Sequence, residues 1–177
     1  MKGQLRRGGA IALAAAVALG STAGIASAGS GGGLGTDTGK KGGKGAVFPI
    51  RGKHTYGDGL GAGRGHEGQD ILAGCGKDIV AAKGGKVRVV DYQASGAGNY
   101  IVVSGRKFDY VYMHMLRKPS VRKGQRVEAG EKLGLVGSTG RSTACHLHFE
   151  MWSSPGWYNG GGVVNPKPFL KRWDRGS

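Results

Sequence analysis

Four of the five histidines fall into three short polar arrangements: His66-x-x-x-Asp70, Tyr112-x-His114 and His146-x-His148. Imidazoles and a carboxylate at these spacings are the donor types of a catalytic metal. Zinc in such a site takes three nitrogen or oxygen ligands and keeps a fourth position for water. The turn His66-Glu67-Gly68-Gln69-Asp70 supplies one imidazole and one carboxylate, and either histidine of the His146-x-His148 pair can supply the third ligand. The other histidine of that pair is then left over, as is His114. Zinc lowers the pKa of its water toward about 7, a free imidazole nearby takes the proton, and another stabilises the tetrahedral oxyanion. The chemistry is therefore hydrolysis. No H-E-x-x-H segment is present, so a glutamate base has no footing and the base is expected to be a histidine.

Elements that present such groups must alternate their faces. In a strand over Cys145 to Met151, His146, His148 and Glu150 share one face while Leu147, Phe149 and Met151 share the other. The same alternation in residues 108–115 puts Tyr112 and His114 together, opposite Val111 and Met113. Two strands thus offer imidazoles to one cleft. Brief β-rich runs at 87–92, 100–104, 108–115, 132–136 and 146–152 are separated by glycine turns, which predicts an all-β fold with no helical bundle. The connectors 94–99 and 104–107 carry the left-handed-tolerant residues of hairpins, and residues 121–134 repeat a valine-to-glycine turn pattern.

The rest of the chain bounds this reading. Its 177 residues have room for one domain, and 38 glycines account for much of the low hydrophobic content of 38%. Lys2, Arg6 and Arg7 precede the apolar run Ala10 to Leu19, and Ala26-Ser27-Ala28 follows it, so residues 1–28 read as a secretory signal. That run is too short to span a membrane. The signal holds three cations and no acid, so the net charge of +15 becomes +12 on the exported chain. Residues 29–45, with nine glycines in 17, read as a flexible linker, and residues 46–173 as the catalytic domain. The cations are dispersed and no recognition motif is present, so no specific nucleic-acid partner is expected.

The residues Arg64-x-His66-x-Gly68-x-Asp70, Tyr112-x-His114, Gly137-Ser138-Thr139-Gly140 and His146-Leu147-His148-Phe149-Glu150 resemble the lysostaphin/LytM-type zinc endopeptidases that cut peptidoglycan cross-links. The likeness runs over residues 46–152, with four motifs in the family's order. It implies a compact antiparallel β-sandwich or open barrel with a catalytic groove. It also implies one Zn2+ per chain on His66, Asp70 and His148, His146 as general base, and His114 orienting or stabilising the tetrahedral species. The substrate implied is a peptidoglycan peptide, reached by an extracellular, cell-wall-associated monomer whose positive charge suits an anionic wall. A non-hydrolytic wall-binding or regulatory module of the same fold is the alternative, and it would call for degenerate ligands. The chain departs from the family at Gln69 and Met115, where aliphatic residues are usual, and at Cys145, which replaces a frequent proline.

An exported protein favours a Cys75–Cys145 disulfide, tying the segment after Asp70 to the His146 strand. Tyr112 is a candidate to line the groove. His54 has no partner motif and stays outside the site. Glu67 and Glu150 are read as structural acids, and Trp152, Trp157, Tyr158 and Trp173 as packing residues.

Overall fold

The computed structural model describes residues 45–63 and 65–176. The signal, nearly all of the linker and Arg64 lie outside the described residues. Ten strands and one helix follow: β1 Thr55–Tyr56, β2 Gln69–Leu72, β3 Asp78–Val80, β4 Gly85–Gln93, β5 Gly98–Ser104, β6 Phe108–Met115, β7 Arg126–Val127, β8 Lys132–Leu135, β9 His146–Ser153, β10 Val163–Val164 and α1 Lys167–Asp174. Eight strands form one antiparallel sheet in the order β1-β2-β9-β6-β5-β4-β7, with β10 joining β9 beyond the end of β2. β3 and β8 form a second, two-stranded sheet.

The five alternating runs of the sequence become β4, β5, β6, β8 and β9. Their inward positions meet in one core: Ile101, Val103, Tyr112, Leu147, Phe149 and Met151 from the large sheet, Ile79 and Leu133 from the small one, and Leu170 and Trp173 from α1. Burial of this apolar area, at roughly 25 cal/mol per Å2, is the main force holding the two layers together. The opposite face of the large sheet carries a smaller cluster of Ala97, Val102, Val111, Met113 and Trp152, with Tyr100 and Trp157 against it. No helix among the described residues is long and apolar enough to cross a membrane. The helix α1 is absent from the periodicity reading because its eight residues offer only Leu170 and Trp173 as a buried pair.

The alternation expected in β6 fails at one residue, and the failure matters. Ile101 pairs with Tyr112 but Asn99 pairs with Met115, so Met113 and His114 together oppose the single residue Tyr100. His114 takes a left-handed backbone, φ 61°. This is a β-bulge. It keeps Tyr112 and Met115 both in the main core while turning His114 to the same side as Met113. Tyr112 is fully buried and its hydroxyl accepts the Ala82 N–H at 2.9 Å. The expectation that Tyr112 shares the histidine face and lines the groove is therefore corrected: it packs beneath the sheet.

Candidate metal centre

β2 and β9 run antiparallel with Asp70 opposite His148, so these two side chains stand side by side on one face of the sheet. His66 is delivered by the turn before β2, where its N–H donates to the Ala62 carbonyl and its carbonyl accepts from Gly61. Gly68 lets this turn press against β9: a Cβ there would lie 2.6 Å from the Phe149 carbonyl and 2.8 Å from His148 Nε2. Gln69, buried where the family favours an aliphatic residue, reaches the carbonyls of Gly57 and Asp58 at 3.0 and 2.9 Å through Nε2 and pins the preceding loop.

Asp70 Oδ1 lies 3.0 Å from His66 Nε2 and 2.9 Å from His148 Nδ1, and one donor atom from each of the three residues falls within 4.8 Å of the others. The hydrogen-bond partners assign the protons. The Gly59 carbonyl lies 2.9 Å from His66 Nδ1, and because a carbonyl only accepts, the lone pair is on Nε2, facing Asp70. His148 Nε2–H donates to Glu150 Oε1 at 3.0 Å, which aims the Nδ1 lone pair at the same point. Two lone pairs and a carboxylate oxygen so close together call for a cation or a proton between them. In the metal-free chain a proton serves. Burial pushes the His148 pKa down, but hydrogen bonds and charge from Asp70 and Glu150 outweigh it and push it up to about 9. Burial likewise raises Asp70, while the His148 hydrogen bond and the charges of His148, His146 and His66 hold it below the usual carboxylate range. The nitrogen-oxygen-nitrogen set fits a small divalent cation of the zinc type, with histidine protons anchored on oxygen acceptors behind it.

Two more imidazoles border the centre. His146 Nε2 is 3.6 Å from Asp70 Oδ1, and its Nδ1 donates to the Ala144 carbonyl at 2.9 Å. His114, turned inward by the bulge, has its ring 4.7 Å from that of His146 and donates Nδ1–H to the Thr139 carbonyl at 2.8 Å. Burial pushes the His114 pKa down to about 4 although the Thr139 hydrogen bond opposes this. Thr139 is held by Asn99 N–H on Oγ1 at 2.9 Å and by its own donation to the Met115 carbonyl at 2.7 Å. Gly98 makes this seat possible: its φ is 62° and a Cβ would come 2.3 Å from the Thr139 carbonyl oxygen.

All five predicted polar residues converge, and Cys75 and Cys145 are bonded with Cα atoms 5.2 Å apart. His54 stands apart, stacked on Phe48 and 3.3 Å from Asp174. Glu150, read from the sequence as a structural acid, is instead nearly fully buried and bonded to His148. Its place on the histidine face was the available signal. Sequence reasoning missed the backbone acceptors Gly59, Thr139 and Ala144, since carbonyls carry no residue signature.

The family model of peptidase family M23 matches residues 64–166. The chain is 37% identical over 117 residues to a glycyl-glycine endopeptidase, ALE-1, of Staphylococcus capitis, covering 65% of this chain and 32% of that protein. It is 41% identical over 87 residues to a peptidoglycan DD-endopeptidase, ShyB, of Vibrio cholerae, covering 49% and 20%. Among solved structures, the catalytic domain of lysostaphin from Staphylococcus simulans superposes with a TM-score of 0.60 at 33% identity, covering 67% of this chain and 92% of that one. The chain thus spans 20% to 32% of the length of these curated relatives.

Proposed function

The chain belongs to peptidase family M23, and we propose that it is a secreted zinc endopeptidase, one Zn2+ per chain, that hydrolyses peptide bonds in bacterial peptidoglycan cross-links. The observation that carries this reading is the convergence of His66, Asp70 and His148 with two further imidazoles on the rim. A zinc ion held by those three residues supplies a Lewis acid for the scissile carbonyl and lowers the pKa of water. His146 serves as general base: Nδ1–H is committed to Ala144, so the Nε2 lone pair faces the centre, takes a proton from the attacking water and returns it to the leaving amine. His114 is neutral, with its proton on the Thr139 side, so Nε2 orients by accepting a hydrogen bond. It donates to a developing oxyanion only after taking up a proton itself.

The net charge of +12 on residues 29–177 favours accumulation on an anionic wall, an attraction that weakens as salt rises. The site is complete within one chain, which supports action as a monomer. The relatives' names point to two different bonds, glycyl-glycine and DD cross-links. The test is metal content together with the release of new amino termini from purified peptidoglycan, with and without chelator. About one zinc per chain and chelator-sensitive cleavage are expected, and sequencing the released ends names the bond. Stoichiometric zinc without cleavage of any wall type, or cleavage indifferent to chelator, overturns the proposal.

A further inference from the structure

The loop between β9 and β10 reaches the metal centre from outside the four motifs. Trp157 Nε1 donates to Glu150 Oε2 at 2.9 Å, beside Trp152 Nε1 at 2.7 Å, while the other oxygen of Glu150 receives His148 Nε2 at 3.0 Å. Trp152 stands on β9 with Glu150 and His148, but Trp157 arrives from a loop with no strand to register it. Its backbone is seated instead by an ion pair beneath. Asp109 on β6, only 6% exposed, accepts the Trp157 N–H at 2.9 Å and Arg88 Nη2 at 2.6 Å, and the same Arg88 nitrogen donates to the Trp157 carbonyl at 2.9 Å. The loop's next residue, Tyr158, donates its hydroxyl proton to Glu67, the neighbour of His66, at 2.5 Å.

Resting on the metallopeptidase reading, we infer that Trp157 is a positioning residue, seated by the Arg88–Asp109 pair, which fixes the Glu150 carboxylate and through it the tautomer and orientation of His148. A buried carboxylate whose two oxygens serve different donors cannot rotate without losing one of them. With Trp157 in place, Oε2 is occupied twice, and Oε1 faces His148 Nε2. His148 then carries its proton on Nε2 and offers Nδ1 to the metal. Without Trp157 one of the two donors on Oε2 is lost, so a turn of the carboxylate gives up one tryptophan hydrogen bond there instead of two. Removal of partners of this kind lowers metal affinity by roughly 10- to 100-fold. The Trp157 indole bonds Glu150 and none of His66, Asp70 and His148, so it acts through Glu150.

The test measures zinc affinity by competition with a chelating dye on the whole folded chain, for wild type, Trp157→Phe, Glu150→Gln and the double variant. Phenylalanine keeps the packing against Tyr100 and removes the one N–H. Trp157→Phe is expected to weaken zinc binding about tenfold and Glu150→Gln by about 10- to 100-fold. The double variant should be no weaker than Glu150→Gln alone, because both lie on one path. Imidazole nitrogen NMR of the zinc-free chain should show His148 exchanging between tautomers in Trp157→Phe and fixed in the wild type at a pH above its titration. Arg88→Met, which keeps much of the aliphatic stem but removes the nitrogen that donates to both Asp109 and the Trp157 carbonyl, should reproduce the Trp157→Phe affinity loss. Additive losses, or a Trp157→Phe variant of lower thermal stability with unchanged affinity and tautomer, overturn the inference. A wild-type chain that binds no zinc overturns the metallopeptidase reading instead, so the two failures are distinct.

Discussion

Replacing Gly68 by alanine should separate the proposed metal ligands without substituting any of them. The added Cβ would sit 2.6 Å from the Phe149 carbonyl oxygen and 2.8 Å from His148 Nε2. Ordinary carbon–oxygen contact begins near about 3.4 Å, so the backbones of the turn and β9 must part by about 0.8 Å. The carbonyl belongs to the strand itself and cannot swing aside as a side chain would. The opening falls next to the Asp70–His148 pair, and a metal site tolerates only about 0.2 Å of displacement in its ligand distances. Overpacking of this kind costs about 1 to 3 kcal/mol of stability, and distortion of the ligand pair should weaken zinc at least about tenfold, in line with the loss of a supporting partner. Gly74 is the matched control, because nothing lies within 4 Å of its Cβ position. Zinc competition and urea denaturation on Gly68→Ala and Gly74→Ala would be read side by side. Wild-type affinity and stability in Gly68→Ala, or equal losses in both variants, would refute the reasoning.

Substituting His148→Ala removes one of the three proposed ligands and strands the buried Glu150, so metal content after dialysis and release of new amino termini should both fall to background. Undiminished wall cleavage would contradict the ligand assignment. Replacing Cys75 and Cys145 together by serine opens a loop closed over 70 residues; loop entropy puts the loss near 4 kcal/mol, and a change under about 1 kcal/mol by denaturant titration would show that the bond adds little. In the zinc-free chain His114 should titrate near pH 4, well below its ordinary 6.5, when followed by proton NMR of the ring. Because the folded value is the lower one, the stability it contributes is present above 6.5 and is lost as pH falls through about 4; a midpoint at or above 6.5 would mean that the ring is not held neutral.

Strand content and the carriers of the chemistry were legible in the chain itself. Period-2 alternation in residues 146–152 separated Leu147, Phe149 and Met151, which enter the core, from His146, His148 and Glu150, because a strand leaves a side chain only two faces to choose from. The spacing of His66 and Asp70 likewise marked a turn able to present both donors to one point. The same rule misplaced Tyr112, because alternation assumes an unbroken ladder. A bulge is set by the pairing of β5 with β6, which no local pattern in residues 108–115 reveals.

Contacts between residues distant in the chain, by contrast, come from the folded arrangement alone. Asp70 and His148 are 78 residues apart and become neighbours through the register of β2 on β9. The proton assignments of His66, His114 and His146 follow from carbonyls at Gly59, Thr139 and Ala144, groups every residue possesses. Trp157 reads as a packing residue in the sequence, and only the fold brings Arg88 and Asp109 to its backbone and its indole to Glu150. Residue types state which chemistry is available, and local periodicity states which face each group takes. Which lone pair points where depends on long-range pairing and backbone acceptors, and those exist only once the sheet is closed on its core.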